Sequence, residues 1–134
     1  MIQAVDHIGI AVRDIEASIA LYRSIFQPSD IHREQVEAQG VDIASFELNG
    51  VRIELTAPLN ADSPIAKFLE KRGEGIHHVA FRTDTIGADL QRLADNNVRL
   101  INTEPQLGAH DMLIAFLHPS STGGVLMELC SEKS

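Results

Sequence analysis

Two histidines and two glutamates recur at matched places in this 134-residue chain. His7 opens the run His7-Ile8-Gly9-Ile10-Ala11-Val12, and His78 opens His78-Val79-Ala80-Phe81-Arg82-Thr83, 71 residues later. Glu54 stands near the end of Gly50-Val51-Arg52-Ile53-Glu54-Leu55, and Glu128 holds the same place in Gly124-Val125-Leu126-Met127-Glu128-Leu129. One half-chain unit has been duplicated with a small insertion. Imidazole nitrogen suits a first-row transition ion and carboxylate oxygen adds a hard donor. Two of each leave room in an octahedral shell for water or substrate. The chemistry this set allows is that of a divalent cation, and Co, Ni, Fe, Mn and Zn all suit the donors.

Strand alternation tests whether the four point the same way. Ile8, Ile10 and Val12 share one face, while His7, Gly9 and Ala11 share the other. Val79 and Phe81 oppose His78, Ala80 and Arg82; Val51, Ile53 and Leu55 oppose Arg52, Glu54 and Thr56; Val125, Met127 and Leu129 oppose Leu126, Glu128 and Cys130. Each strand thus has an apolar face suited to helices. The other face carries one ligand type among small or polar residues, with space left by Gly9, Ala11 and Ala80. His77 points away from its neighbour, and the repeat selects His78. His32, His110 and His118 fall in loops or at strand ends and read as structural.

The elements that must position these residues form a strand, a helix and several strands in each half. Asp14 is a candidate helix cap before the stripe Ile15, Ile19, Tyr22 and Phe26, and Thr85 matches it before Ile86, Leu90 and Leu93. A polar stretch, 27–40, precedes a strand at Val41–Leu48, the turn Asn49-Gly50 and a return strand at 51–56. Ser63 and Pro64 open a short helix that Gly73 ends. Later strands are expected at 99–102, Met112–Leu117 and 124–130.

Composition excludes several function classes. A net charge of −8 argues against nucleic acid and anionic membranes as partners. No apolar run reaches the roughly 20 residues of a membrane span. The start, Met1-Ile2-Gln3-Ala4-Val5-Asp6, lacks the basic region of a signal peptide, and the lone Cys130 suits a reducing compartment, so a cytoplasmic protein is expected. Lys67, Lys71 and Arg72, flanked by Glu70 and Glu74, read as a solvated helix face. Cys130 has no nucleophile motif around it, and Ser120, Ser121 and Thr122 lack a nucleophile elbow. There is no phosphate-binding loop and no dinucleotide fingerprint.

The paired repeats resemble the vicinal oxygen chelate superfamily, or glyoxalase fold. Asp6-His7-Ile8-Gly9-Ile10-Ala11-Val12, Asp62-Ser63-Pro64-Ile65-Ala66-Lys67-Phe68-Leu69, Gly73-Glu74-Gly75-Ile76-His77-His78-Val79-Ala80-Phe81, Phe116-Leu117-His118-Pro119 and Thr122-Gly123-Gly124-Val125-Leu126-Met127-Glu128-Leu129 narrow it to a resemblance to the methylmalonyl-CoA epimerase family. That resemblance implies an α+β fold of two tandem βαβββ modules forming a curved mixed sheet around a metal-binding cleft. It implies one domain over 1–134, with module one at about 1–58, a connecting helix at about 63–73 and module two at about 75–134. It further implies a divalent metal held by His7, Glu54, His78 and Glu128, with some epimerases carrying glutamine at the Glu54 position. Glu128 and Glu54 are then the catalytic carboxylates, acting on an acyl-CoA thioester through a metal-stabilised enolate, in a homodimer.

Three positions depart from the family pattern: Ile43 stands where some epimerases have a candidate base glutamate, Asp111 where Gly-Ala-His-Gly ends in glycine, and Ser120 where a lysine often follows His-Pro. The same four ligands also match bacterial glyoxalase I, so a lactoylglutathione lyase is an alternative activity. A non-catalytic antibiotic-binding protein of the same fold is the other, although no Trp, one Tyr and five Phe offer few stacking surfaces.

Overall fold

The computed structural model describes residues 1–133. Its chain divides into two compact units, one spanning Ile8–His77 and the other joining Met1–His7 to the chain from His78 onward. Strand β1 (Ile2–Ala11) crosses from one to the other, as does β5 (Gly75–Thr83).

In the unit Ile8–His77, helix α1 (Ile15–Phe26) starts where the Asp14 carboxylate accepts a hydrogen bond from the Ala17 amide at 3.1 Å. Gln27, left-handed at φ 50°, ends it. Ile15, Ile19 and Tyr22 pack with Val12, Ala44, Leu55 and Ala57 into one core. Phe26 leaves the expected stripe; it is half exposed and stacks on Tyr22 instead. Strands β2 (His32–Val36), β3 (Val41–Leu48) and β4 (Val51–Pro58) follow, and helix α2 (Pro64–Arg72) closes the unit. Asn49 at φ 47° and Gly50 at φ 93° make the tight turn that puts Leu48 opposite Val51. The Ser63 hydroxyl accepts from the Ile65 amide at 3.2 Å, and Gly73 caps the other end.

β2 lies inside the stretch 27–40, read from the sequence only as polar. His32-Arg33-Glu34-Gln35-Val36 has no apolar alternation, because it pairs only with β3 and stands at the sheet's edge.

The other unit holds helix α3 (Ile86–Asp95), β6 (Gln106–Leu107), β7 (Met112–Leu117) and β8 (Met127–Glu132). Thr85 does not cap α3 with its side chain; the Thr83 hydroxyl accepts from the Thr85 amide at 3.1 Å and donates to buried Asp89. Residues 99–102 are not a strand. A single bridge, Leu100 to Leu117, forms there, and the Asn102 side chain takes the Phe116 amide at 2.8 Å. The edge strand is instead the two-residue β6. β8 begins three residues later than expected because Gly123 and Gly124 adopt positive φ and the Thr122 hydroxyl donates to the Val125 carbonyl. Ile86, Leu90, Ala115, Leu117 and Leu129 form this unit's core.

The eight strands make one mixed sheet in the order β2-β3-β4-β1-β5-β8-β7-β6. β5 and β8 run parallel. The order has the same form from either edge: each half places its first strand inside, its second at the edge, and its third and fourth stepping back inward. That is the βαβββ duplication in topological terms. No helix is long and apolar enough to cross a membrane among the described residues.

Candidate metal and active site

Register decides which side chains meet. Ala80 pairs with Glu128 across the parallel β5–β8 ladder, so His78 and Ala80 share a face with Glu128 and Cys130. Phe81, Met127 and Leu129 take the opposite face, against α3. The polar-face side chains are buried: His7 is 4% exposed, His78 7% and Glu128 4%.

These three belong to one unit and converge. His7 Nε2 lies 3.1 Å from His78 Nε2, with the rings perpendicular. Glu128 Oε1 is 3.3 Å from His78 Nε2 and 3.7 Å from His7 Nε2. Ligands about 2.1 Å from one ion stand about 3.0 Å apart in an octahedron and about 3.4 Å apart in a tetrahedron. Two imidazole nitrogens and a carboxylate oxygen with these separations fit a transition-metal site.

Glu54, from the other unit, is 3% exposed on β4 opposite Ser45, and Arg52 places Nη2 at 3.2 Å and Nε at 3.3 Å from its Oε2. A buried carboxylate held by a guanidinium is partly compensated for the loss of water.

Asp6 and Arg82 are site residues that sequence reasoning did not single out. Asp6 is 1% exposed, and its carboxylate sits 2.8 Å from His7 Nδ1 and 3.1 Å from Arg82 Nε. Period-two alternation assigns Asp6 to the face opposite His7, yet both are buried and in contact. The adjacency Asp6-His7 was the one signal in the chain that could have found it.

The remaining candidates have neighbours of their own. His77 packs edge-on to Phe68, and burial lowers its pKa to about 4, so it stays neutral at neutral pH. The His118 ring accepts the Ser120 amide at 3.0 Å and shapes a turn. His32 lies beside Glu34 at the exposed edge, and His110 adopts φ 58° in a short turn. Buried Cys130 points its thiol at the Phe81 carbonyl. Lys67, Lys71 and Arg72 are exposed on α2, as expected of a solvated face.

Of the departures from the family pattern, Ile43 is buried opposite Thr56, while its neighbour Asp42 pairs with Arg33. Thr56 Oγ1 is buried with no hydrogen-bond partner. Asp111 and Ser120 are exposed.

The family profile of the Glyoxalase/Bleomycin resistance protein/Dioxygenase superfamily matches residues 6–116. The chain belongs to this superfamily. A protein of Bacillus subtilis, YqjC, is 45% identical over 96% of this chain and 91% of its own length. The ethylmalonyl-CoA/methylmalonyl-CoA epimerase of Cereibacter sphaeroides is 38% identical over 96% of this chain and 98% of its own. Among solved structures, a methylmalonyl-CoA epimerase in complex with methylmalonyl-CoA and NH4+ superimposes with a TM-score of 0.95 at 36% identity, covering 100% of this chain and 97% of that one. The two tandem βαβββ modules are those of the glyoxalase fold. Within the superfamily this chain is an epimerase-like isomerase.

Proposed function

We propose that the enzyme interconverts the (2R) and (2S) forms of methylmalonyl-CoA, or of a close acyl-CoA relative, at a divalent cation held by His7, His78, Glu128 and Glu54. The observation that carries this reading is the buried convergence of His7 Nε2, His78 Nε2 and Glu128 Oε1, in a chain whose relatives are epimerases of that substrate class. Glu54 enters as the repeat counterpart of Glu128.

The α-hydrogen of a methylmalonyl thioester lies between two carbonyl groups, so its removal gives a delocalised enolate. A bound divalent cation supplies electrostatic stabilisation for the charge that develops on oxygen. Two carboxylates suit the proton transfers, because inversion at carbon takes a proton from one face and returns one to the other. Glu128 and Glu54 are assigned these roles. Their burial excludes water that would otherwise compete for the same proton. We read the two modules as one domain and the enzyme as a cytoplasmic homodimer that gel filtration would resolve at twice the 14.7 kDa chain mass.

Proton NMR of methylmalonyl-CoA in deuterated water tests the activity. With Co2+-loaded enzyme the α-proton signal should disappear as the epimers interconvert; after chelation it should persist. Glu128→Gln should slow exchange by about 10²–10⁴-fold while keeping the fold. Absence of exchange with every divalent ion tried, together with turnover of methylglyoxal and glutathione, would replace this reading with a lyase.

A further inference from the structure

Asp6 faces at least two donors. Its Oδ2 faces His7 Nδ1 at 2.8 Å and its Oδ1 faces Arg82 Nε at 3.1 Å. An ionised carboxylate only accepts hydrogen bonds, and a guanidinium only donates them. In neutral His7 the hydrogen therefore sits on Nδ1, and Nε2 keeps its lone pair. That Nε2 is the atom that meets His78 and Glu128.

We infer that Asp6 and Arg82 act together as a tautomer lock on His7. Asp6 holds His7 with its Nε2 lone pair ready for a cation, and Arg82, bound to the other carboxylate oxygen, orients the Asp6 side chain. Both are positioning residues. The purpose of the lock rests on the metal reading above, but its existence can be tested without metal.

The part played by Arg82 makes the inference specific. In Asp6→Asn the side chain has one oxygen and one NH2 group. The Arg82 N–H can be met only by the oxygen, which turns the NH2 toward His7 Nδ1. His7 Nδ1 must then accept, and its hydrogen moves to Nε2, facing the other ligands. Removing the Arg82 donor lets the amide turn round, with its oxygen toward His7 again. A salt bridge that only stabilised the fold would not behave so: with Asp6 already replaced, losing Arg82 would restore neither the tautomer nor the affinity.

Long-range proton–nitrogen NMR of the imidazoles in metal-free, nitrogen-15-labelled protein reads the tautomer directly. His7 should be Nδ1–H in the wild type, Nε2–H in Asp6→Asn, and Nδ1–H again in Asp6→Asn combined with Arg82→Met. Co2+ titration followed by visible absorption should show about 100-fold weaker binding in Asp6→Asn. At least about tenfold should return in the double variant. The lock is overturned if wild-type His7 is Nε2–H or doubly protonated at pH 7.5. It is also overturned if Asp6→Asn keeps the wild-type tautomer, or if the double variant binds Co2+ no more tightly than the single one. Should Asp6→Asn not fold, the wild-type spectrum alone decides. A wild type that takes up no Co2+ yet shows the tautomer switch would sink the metal reading and leave the lock standing.

Discussion

Polar groups withdrawn from water are costly unless something answers them, and the buried face answers nearly all of its own. Among the described residues Thr56 is the exception. It is 3% exposed, lies opposite Ile43, and its hydroxyl has no partner. An unanswered buried hydroxyl costs about 1–3 kcal/mol, whereas a methyl of the same shape costs nothing comparable. Thr56→Val should therefore raise stability by about 1 kcal/mol, seen as a higher urea midpoint at unchanged slope. A lower midpoint would mean that the hydroxyl is satisfied in solution. At this scale the sequence was informative where the duplication repeated a residue type, as with His7 and His78. It was silent on Asp6, because alternation describes where a side chain leaves the strand and not where a carboxylate reaches from there.

Elements followed their punctuation. Asp14, Ser63 with Pro64, Gly73 and Asn49-Gly50 each fix a boundary by a local bond or a φ value, and each was readable from composition. Elements whose identity depends on a neighbour were not. β2 has no apolar pattern because it pairs along one edge only, and 99–102 lost its ladder to the side chain of Asn102. The cap at Ser63 offers a direct test. Its hydroxyl serves the Ile65 amide, and its Cβ would lie 3.3 Å from a Cβ added at Gly40. Ser63→Ala should cost about 1 kcal/mol in thermal or urea unfolding. An unchanged midpoint would show that the first turn of α2 is held by other contacts.

The whole molecule carries a net charge of −8, while the acyl-CoA of the proposed reaction is strongly anionic. Their long-range repulsion is felt over about 30 Å at 0.01 M ionic strength and about 8 Å at 0.15 M. Raising salt across that range should increase kcat/KM by about two- to tenfold, most of it through KM. A decrease would reveal a positive field around the site that outweighs the net charge. The duplicated architecture was legible at this scale because strand order follows from repeating one βαβββ unit. The division into compact units was not, since Met1–His7 joins residues more than 70 positions further along.

That division has a consequence for how the protein is made. The unit Ile8–His77 is continuous, so it has all its parts as soon as it leaves the ribosome. The other holds residues synthesised before that unit and must wait for His78 and the chain beyond it. His7 precedes His78 by 71 positions, and Asp6 precedes Arg82 by 76. At about 5–20 residues per second, the N-terminal segment spends roughly 4–14 s without its partners. Throughout that interval Asp6 and His7 are solvated and chemically ordinary. The ligand cluster thus forms only after the continuous unit Ile8–His77 can already be native.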